Sequence, residues 1–146
     1  MADKMRWDCR NGTNCFSRRT RLKFYRFEEA GCLPARTGKP VSFSDIDAIT
    51  EVCGRGLIQE WKLPGTPISQ AQRIMLTRLT RGRLLTAVFV WGDAEHMTVE
   101  QFWPFFDGEQ GPAVVGDFDA LCRYIAWWSN WAERNSLLGR KPIWPF

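Results

Sequence analysis

Residues 42–62 limit the possible folds of this chain more than any other stretch. Asp45 to Val52 is rich in β-branched side chains, Leu57 to Lys62 is a second strand-like run, and Gly54-Arg55-Gly56 supplies turn chemistry between them. The pattern predicts two strands joined by a tight turn. Side chains alternate between the faces of a strand, so Ile58, Glu60 and Lys62 share one face and Leu57, Gln59 and Trp61 the other. On the first strand Asp45, Asp47 and Ile49 share a face in the same way. Where the two carboxylate-bearing faces coincide, Asp47, Glu60 and Lys62 converge on one spot.

Such a grouping has a chemical use. Two carboxylates a few ångströms apart make a poor core but a good site for a hard cation, because Mg²⁺ takes oxygen ligands and keeps several waters. A lysine beside them can orient a water, help remove its proton, or meet a phosphate. An E-x-K alternation alone is commonly a solvated sheet face, so its context decides. Here Glu60-Trp61-Lys62 is followed by a helix start, Ser69-Gln70-Ala71-Gln72, in which Ser69 is a good N-cap, and then by the apolar strand Leu85 to Trp91. A strand, a helix and a strand of these lengths predict a right-handed parallel crossover.

Over residues 42–92 these features resemble the PD-(D/E)xK nuclease superfamily, and within it the VRR-NUC branch, where a Ser-x-x-Gln helix start follows the E-x-K strand. Thirteen positions separate Asp47 from Glu60, a span that fits one hairpin. The residue before Asp47 is Ile46 rather than proline, which leaves Asp45 open as the ligand in its place. The resemblance implies an α/β restriction-endonuclease-like core, with a mixed central sheet flanked by helices and a C-terminal aromatic helix. It implies Asp47 and Glu60 as ligands for Mg²⁺ or Mn²⁺, Lys62 as the residue that positions the attacking water, and Gln72 as their support. It further implies an acid on a preceding helix, a role open to Glu28 or Glu29, with Glu29 taken as the candidate ligand. The implied activity is DNA endonuclease chemistry; the alternative is a catalytically silent nuclease-like module that binds nucleic acid or a host defence complex. The overall look resembles small phage-encoded members.

The chain of 146 residues suits a single domain, comprising a basic segment over 1–41, a core over 42–92 and a helical extension over 93–146. The net charge of +4 is unevenly spread: residues 1–41 hold ten Lys/Arg against four Asp/Glu, and the remainder is slightly acidic. That arm suits a phosphate backbone, with Arg18, Arg19, Arg21, Lys23 and Arg26 as its contacts and Arg73 as a further one; a merely solubilising arm would look the same in charge. Arg78, Arg81 and Arg83 are also candidate phosphate contacts. Neither a membrane-length apolar run nor a signal-peptide core is present, so a cytoplasmic protein is expected.

Five cysteines without a regular framework argue for a reducing compartment. Cys9, Cys15 and Cys32 could hold a structural zinc, with Cys53, a carboxylate or the lone His96 as fourth ligand, although the five residues between Cys9 and Cys15 exceed usual finger spacing. Cys122 reads as core. A helix is expected over Arg19 to Ala30, ending at Gly31, and another over Gln70 to Thr80 with Ala71, Met75 and Leu79 as its apolar stripe. Thr98 to Phe106 is an aromatic segment in which Pro104 limits any helix, and Asp107 to Asp117 reads as loop. Asp117 should cap a helix over Phe118 to Asn135 whose stripe Phe118, Leu121, Cys122, Ile125 and Trp128 faces the core. Its second stripe, Tyr124, Trp127 and Trp131, suits cover by the tail Ile143 to Phe146, a homodimer contact, or base stacking.

Overall fold

The computed structural model describes residue 26, residues 29–31 and residues 46–139. The chain forms two compact units, Met1–Asp45 and Ile46–Phe146. In the first, Arg26 and Glu29 are helical and exposed, and Gly31 follows with φ 74°, the left-handed geometry that suits a glycine after a helix. The arm residues Arg18, Arg19, Arg21 and Lys23, the cysteines Cys9, Cys15 and Cys32, Asp45, and the tail from 140 onward lie outside the described residues.

The second unit is an α/β layer structure whose mixed sheet has six strands among the described residues. Strand β1 (Ala48–Val52) pairs antiparallel with β2 (Arg55–Lys62). Helix α1 (Gln70–Leu79) then carries the chain over to β3 (Leu85–Asp93), which pairs parallel with β2. Strand β4 (Thr98–Phe106) returns antiparallel to β3, and the short strands β5 (Glu109–Gln110) and β6 (Val114–Val115) both pair with β4. Helix α2 (Phe118–Arg134) closes the unit.

The turn of the first hairpin is Cys53-Gly54, with φ of 51° and 85°, and not Gly54-Arg55-Gly56 as the sequence suggests. Two residues with positive φ match the right-handed twist of the flanking strands, so Arg55 and Gly56 are already in β2. Asp107-Gly108, at 51° and 82°, turns β4 into β5 by the same device. The first strand is also shorter than expected, beginning at Ala48, with Asp47 in a bend before it.

Alternation along β2 and β3 sends their side chains into two cores. Leu57, Val88 and Val90 pack with Phe102 and with Leu121, Trp128 and Ala132 of α2. Ile58, Ala87, Phe89 and Trp91 pack with Phe105, Ile68 and Leu76 of α1. Each helix therefore covers one face of the sheet, and Ala87 to Trp91 is buried without a break, as a strand covered on both sides requires.

Both helices start where the sequence indicates. Ser69 and Asp117 are the N-caps, each accepting a main-chain N–H three residues on. Their inward faces differ from the expected stripes. On α1, Leu76 is fully buried with Met75 beside it, whereas Ala71 and Leu79 are exposed. On α2, Leu121, Trp128 and Ala132 are buried, while Phe118 and Cys122 are exposed, so Cys122 is not a core residue. Apolar residues line more than one stripe of each helix, and only the placement of the sheet selects which one is covered. The second stripe of α2 meets this chain's own β4: Phe106 lies 5.1 Å from the Trp131 ring and 6.2 Å from that of Trp127.

Thr98 to Phe106 is a strand. A register shift opposite Trp91/Gly92 lets Val99 and Phe102 face the same core although they are three residues apart. Gly92 is required there: a Cβ on it would stand 2.1 Å from the Thr98 carbonyl oxygen. Gly92→Ala should therefore lower stability by about 1–3 kcal/mol through strand displacement, and Leu76→Ala by about 2–5 kcal/mol. Phe118→Ala and Cys122→Ala should stay within about 0.5 kcal/mol of the parent. Urea unfolding of the four variants checks the assignment, and a large loss at Cys122 would contradict the exposed face.

Candidate functional site

The last rung of the first hairpin pairs Ala48 with Gln59, and Asp47 precedes it in a bend beyond the ladder. Ile58 belongs to the core beneath α1 and Leu57 to the core beneath α2, so Glu60 and Lys62 stand on the α1 side of the sheet. Glu60 is 5% exposed, Lys62 is half-buried and Asp47 is exposed.

Asp47 does more than face the strand. Its Oδ2 accepts the main-chain N–H of Trp61 at 2.7 Å, a donor that a carbonyl would take in a regular ladder. One carboxylate oxygen is thus tied into the edge of Glu60-Trp61-Lys62, which fixes Asp47 against the E-x-K strand. Trp61 turns to the other face, where its Nε1 donates to Gln59 Oε1 at 2.9 Å.

Across the sheet, Glu60 pairs with Phe89 and Phe89 with Trp103, while Lys62 pairs with Trp91. The acid and the lysine therefore border an aromatic floor: Phe89 and Trp91 centroids lie 4.7 Å apart, and Trp91 and Trp103 4.9 Å apart. Trp91 Nε1 donates to the Thr66 carbonyl at 2.6 Å, pinning the connection after β2 to β3. A buried carboxylate beside such rings is costly unless hydrogen bonds or an opposite charge compensate it.

Gln72 has a structural duty. The Ser69 hydroxyl accepts the Gln72 N–H at 3.1 Å and donates to Gln72 Oε1 at 3.3 Å, so Ser69 caps α1 and also steadies the Gln72 side chain. The side chain is half-buried and shares a helix stripe with Leu76. Helix α1 packs on β3 and β4. Arg73, the candidate phosphate contact in the same turn, is exposed and places its guanidinium carbon 5.6 Å from the Trp103 ring centroid. Arg83 is paired instead with Asp107, at 2.9 Å.

Two groupings escaped the sequence reading. Arg55 is 9% exposed, donates to the carbonyls of Asn135 at 2.6 Å and Arg83 at 2.5 Å, and lies 4.7 Å from the Trp131 centroid. It joins the end of α2 to the connection before β3, a role invisible where turn chemistry seemed to claim it. The other is Asp93, Glu95 and His96, whose potential ligand atoms lie within 4.8 Å of one another on the β3–β4 hairpin, a group that could hold a metal ion. His96 was legible only as a lone histidine.

In that hairpin Asp93 Oδ1 accepts the N–H of Glu95, and Oδ2 meets His96 Nδ1 at 2.6 Å. This one hydrogen bond, accepted by the Asp93 carboxylate, raises the His96 pKa above its ordinary 6.5 and lowers the Asp93 pKa below its ordinary 3.8. A raised histidine contributes stability that is complete below its unfolded pKa and lost as pH rises through the folded one. A depressed carboxyl contributes stability present above its unfolded pKa and lost as pH falls through the folded one. The pair is thus at full strength between about pH 4 and 6.5, and its exposure keeps the effect small. Because the chain has one histidine, a single imidazole NMR titration reads it: Asp93→Asn should move the His96 midpoint down toward its ordinary value, and an unmoved midpoint would exclude the pairing.

No family model, curated protein or solved structure matches this chain.

Proposed function

We propose that the chain is a divalent-metal-dependent phosphodiesterase acting on DNA, built on a restriction-endonuclease-like core. The observation that carries this reading is the bond from the Trp61 amide to Asp47 Oδ2, which holds a second carboxylate against the strand bearing Glu60 and Lys62. The fold supports it in kind: an acid-bearing hairpin, a capped crossover helix and a parallel strand follow one another in the order expected of such a core.

The donor set fits a hard cation. Asp47, in the bend before β1, and Glu60 on β2 would offer carboxylate oxygens, and these suit Mg²⁺ or Mn²⁺ better than a softer metal. When bound there, the ion would supply charge stabilisation to the phosphoryl group under attack and lower the pKa of water. Lys62, two residues from Glu60 on the same face, orients the attacking water and helps withdraw its proton. The aromatic floor of Phe89 and Trp91 excludes bulk water from around Glu60, which strengthens charge interactions there. Gln72 supports the site through the start of α1.

A second reading rests on the same hydrogen bond. A carboxylate engaged by a main-chain amide also serves as a strand-end cap, and a nuclease-like fold that only binds nucleic acid would retain it for that purpose.

Cleavage of plasmid and branched DNA with Mg²⁺, Mn²⁺ and Ca²⁺ separates the two. Wild type should cut with Mg²⁺ or Mn²⁺, and Asp47→Ala and Glu60→Ala should abolish it. Lys62→Ala should cut roughly 10²–10⁴-fold more slowly while retaining Mn²⁺ binding by calorimetry. Gln72→Ala should lose less activity and keep a Tm close to the parent's, since the Ser69 hydroxyl still accepts the main-chain N–H of residue 72. Absence of metal-dependent cleavage in folded wild type would leave the binding module as the reading, and equal cleavage by all five proteins would point to a contaminant.

A further inference from the structure

Between Glu60 and Asp93 the chain has five basic residues, Lys62, Arg73, Arg78, Arg81 and Arg83, and no Asp or Glu. An exposed helix ordinarily mixes signs to gain pairs one turn apart, and α1 forgoes them. The four arginines are not equivalent. Arg83 is committed to Asp107 through its Nε and lies over Phe106 at 5.8 Å. Arg73, Arg78 and Arg81 are exposed, and among the described residues none of them has a carboxylate partner.

Two of the three are nevertheless held in place. Arg73 stacks on Trp103 of β4, and the Arg81 side chain crosses the turn after β4, its Nε 3.3 Å from where a Cβ on Gly108 would stand. Arg78 projects from the last turn of α1 between them in sequence. A guanidinium laid on a ring or on backbone keeps its donor edge open while losing rotamer freedom, so less ordering remains to be done when an anion arrives. Trp103 belongs to the core beneath α1, the side of the sheet on which Glu60 and Lys62 also stand.

From this we infer that Arg73, Arg78 and Arg81 form a phosphate-binding track along α1 and the turn after β4 that takes the sugar-phosphate backbone of DNA. The inference rests on the reading of the chain as a DNA phosphodiesterase and adds where the polymer runs. A site built on Asp47 and Glu60 repels phosphates by itself, so neighbouring cations have to help attract them, and among the described residues these three arginines have no carboxylate partner.

The test measures binding of full-length protein to duplex DNA in EDTA and in Ca²⁺ over a series of KCl concentrations. Each Arg→Gln change at 73, 78 or 81 should lower the slope of log Kd against log salt by about 1, and the triple variant by about 3, as loss of one phosphate contact apiece predicts. Arg83→Gln should leave the slope unchanged. A folded triple variant with the wild-type slope overturns the track, as does an Arg83→Gln loss as large as that of the others. If the triple variant melts early, Arg78→Gln carries the test alone, with an unchanged slope counting against the track. Cleavage is scored separately: a reduced slope in a protein that never cuts keeps the track and removes the enzyme, whereas intact cleavage with an unchanged slope keeps the enzyme and removes the track.

Discussion

Strand β2 is the constraint on which the rest of the unit depends. It is paired antiparallel to β1 on one edge and parallel to β3 on the other, and both of its faces are covered. A parallel neighbour cannot be reached by a hairpin, so the chain must cross over, and α1 is that crossover. Leu57 and Ile58, adjacent in sequence and both essentially unexposed, anchor the two cores on opposite sides. A slip of one residue would exchange the cores and turn Glu60 from the α1 side into the packing around Trp128.

That arrangement explains why Glu60 is the unusual residue of the sheet. At 5% exposure it is the buried acid of the sheet among the described residues, on the face where Ile58, Ala87 and Phe89 are apolar. Folding bears the desolvation of a carboxylate there, and such a cost is commonly associated with sites that use the charge. Asp47 is the counterpart, exposed and outside the regular strand, yet fixed by the Trp61 amide. One acid is buried on the strand and the other is fixed beside it by the Trp61 amide.

The opposite layer has a different economy. Arg55 is buried, has no carboxylate partner among the described residues, and is held by the carbonyls of Asn135 and Arg83 and by the Trp131 ring. It links the C-terminal end of α2 to the connection that precedes β3. Tyr124, on the same helix, is buried enough that its pKa is pushed up to about 12 by desolvation, so its hydroxyl stays neutral at ordinary pH. Glu60 and Lys62, by contrast, stand on the face beneath α1.

Local chemistry determined much of this in the sequence alone. Ser69 and Asp117 mark their helices because an oxygen side chain satisfies an orphan N–H within four residues. The alternation of β2 reveals which residues accompany Glu60, since strand geometry admits one answer, and the apolar run from Leu85 reveals a strand covered on both faces. What the sequence left open needed partners distant along the chain. Pro104 and the aromatic residues around it obscured β4, which exists because β3 offers it an edge, and a register shift set which of its rings face which core. Cys122 and Phe118 are apolar enough to be core, but the sheet lies against the next stripe of α2. Arg55 looked like a turn residue until two distant carbonyls and a tryptophan claimed it. The tertiary structure alone decided these points, because burial belongs to pairs of surfaces, and a sequence specifies only one surface at a time.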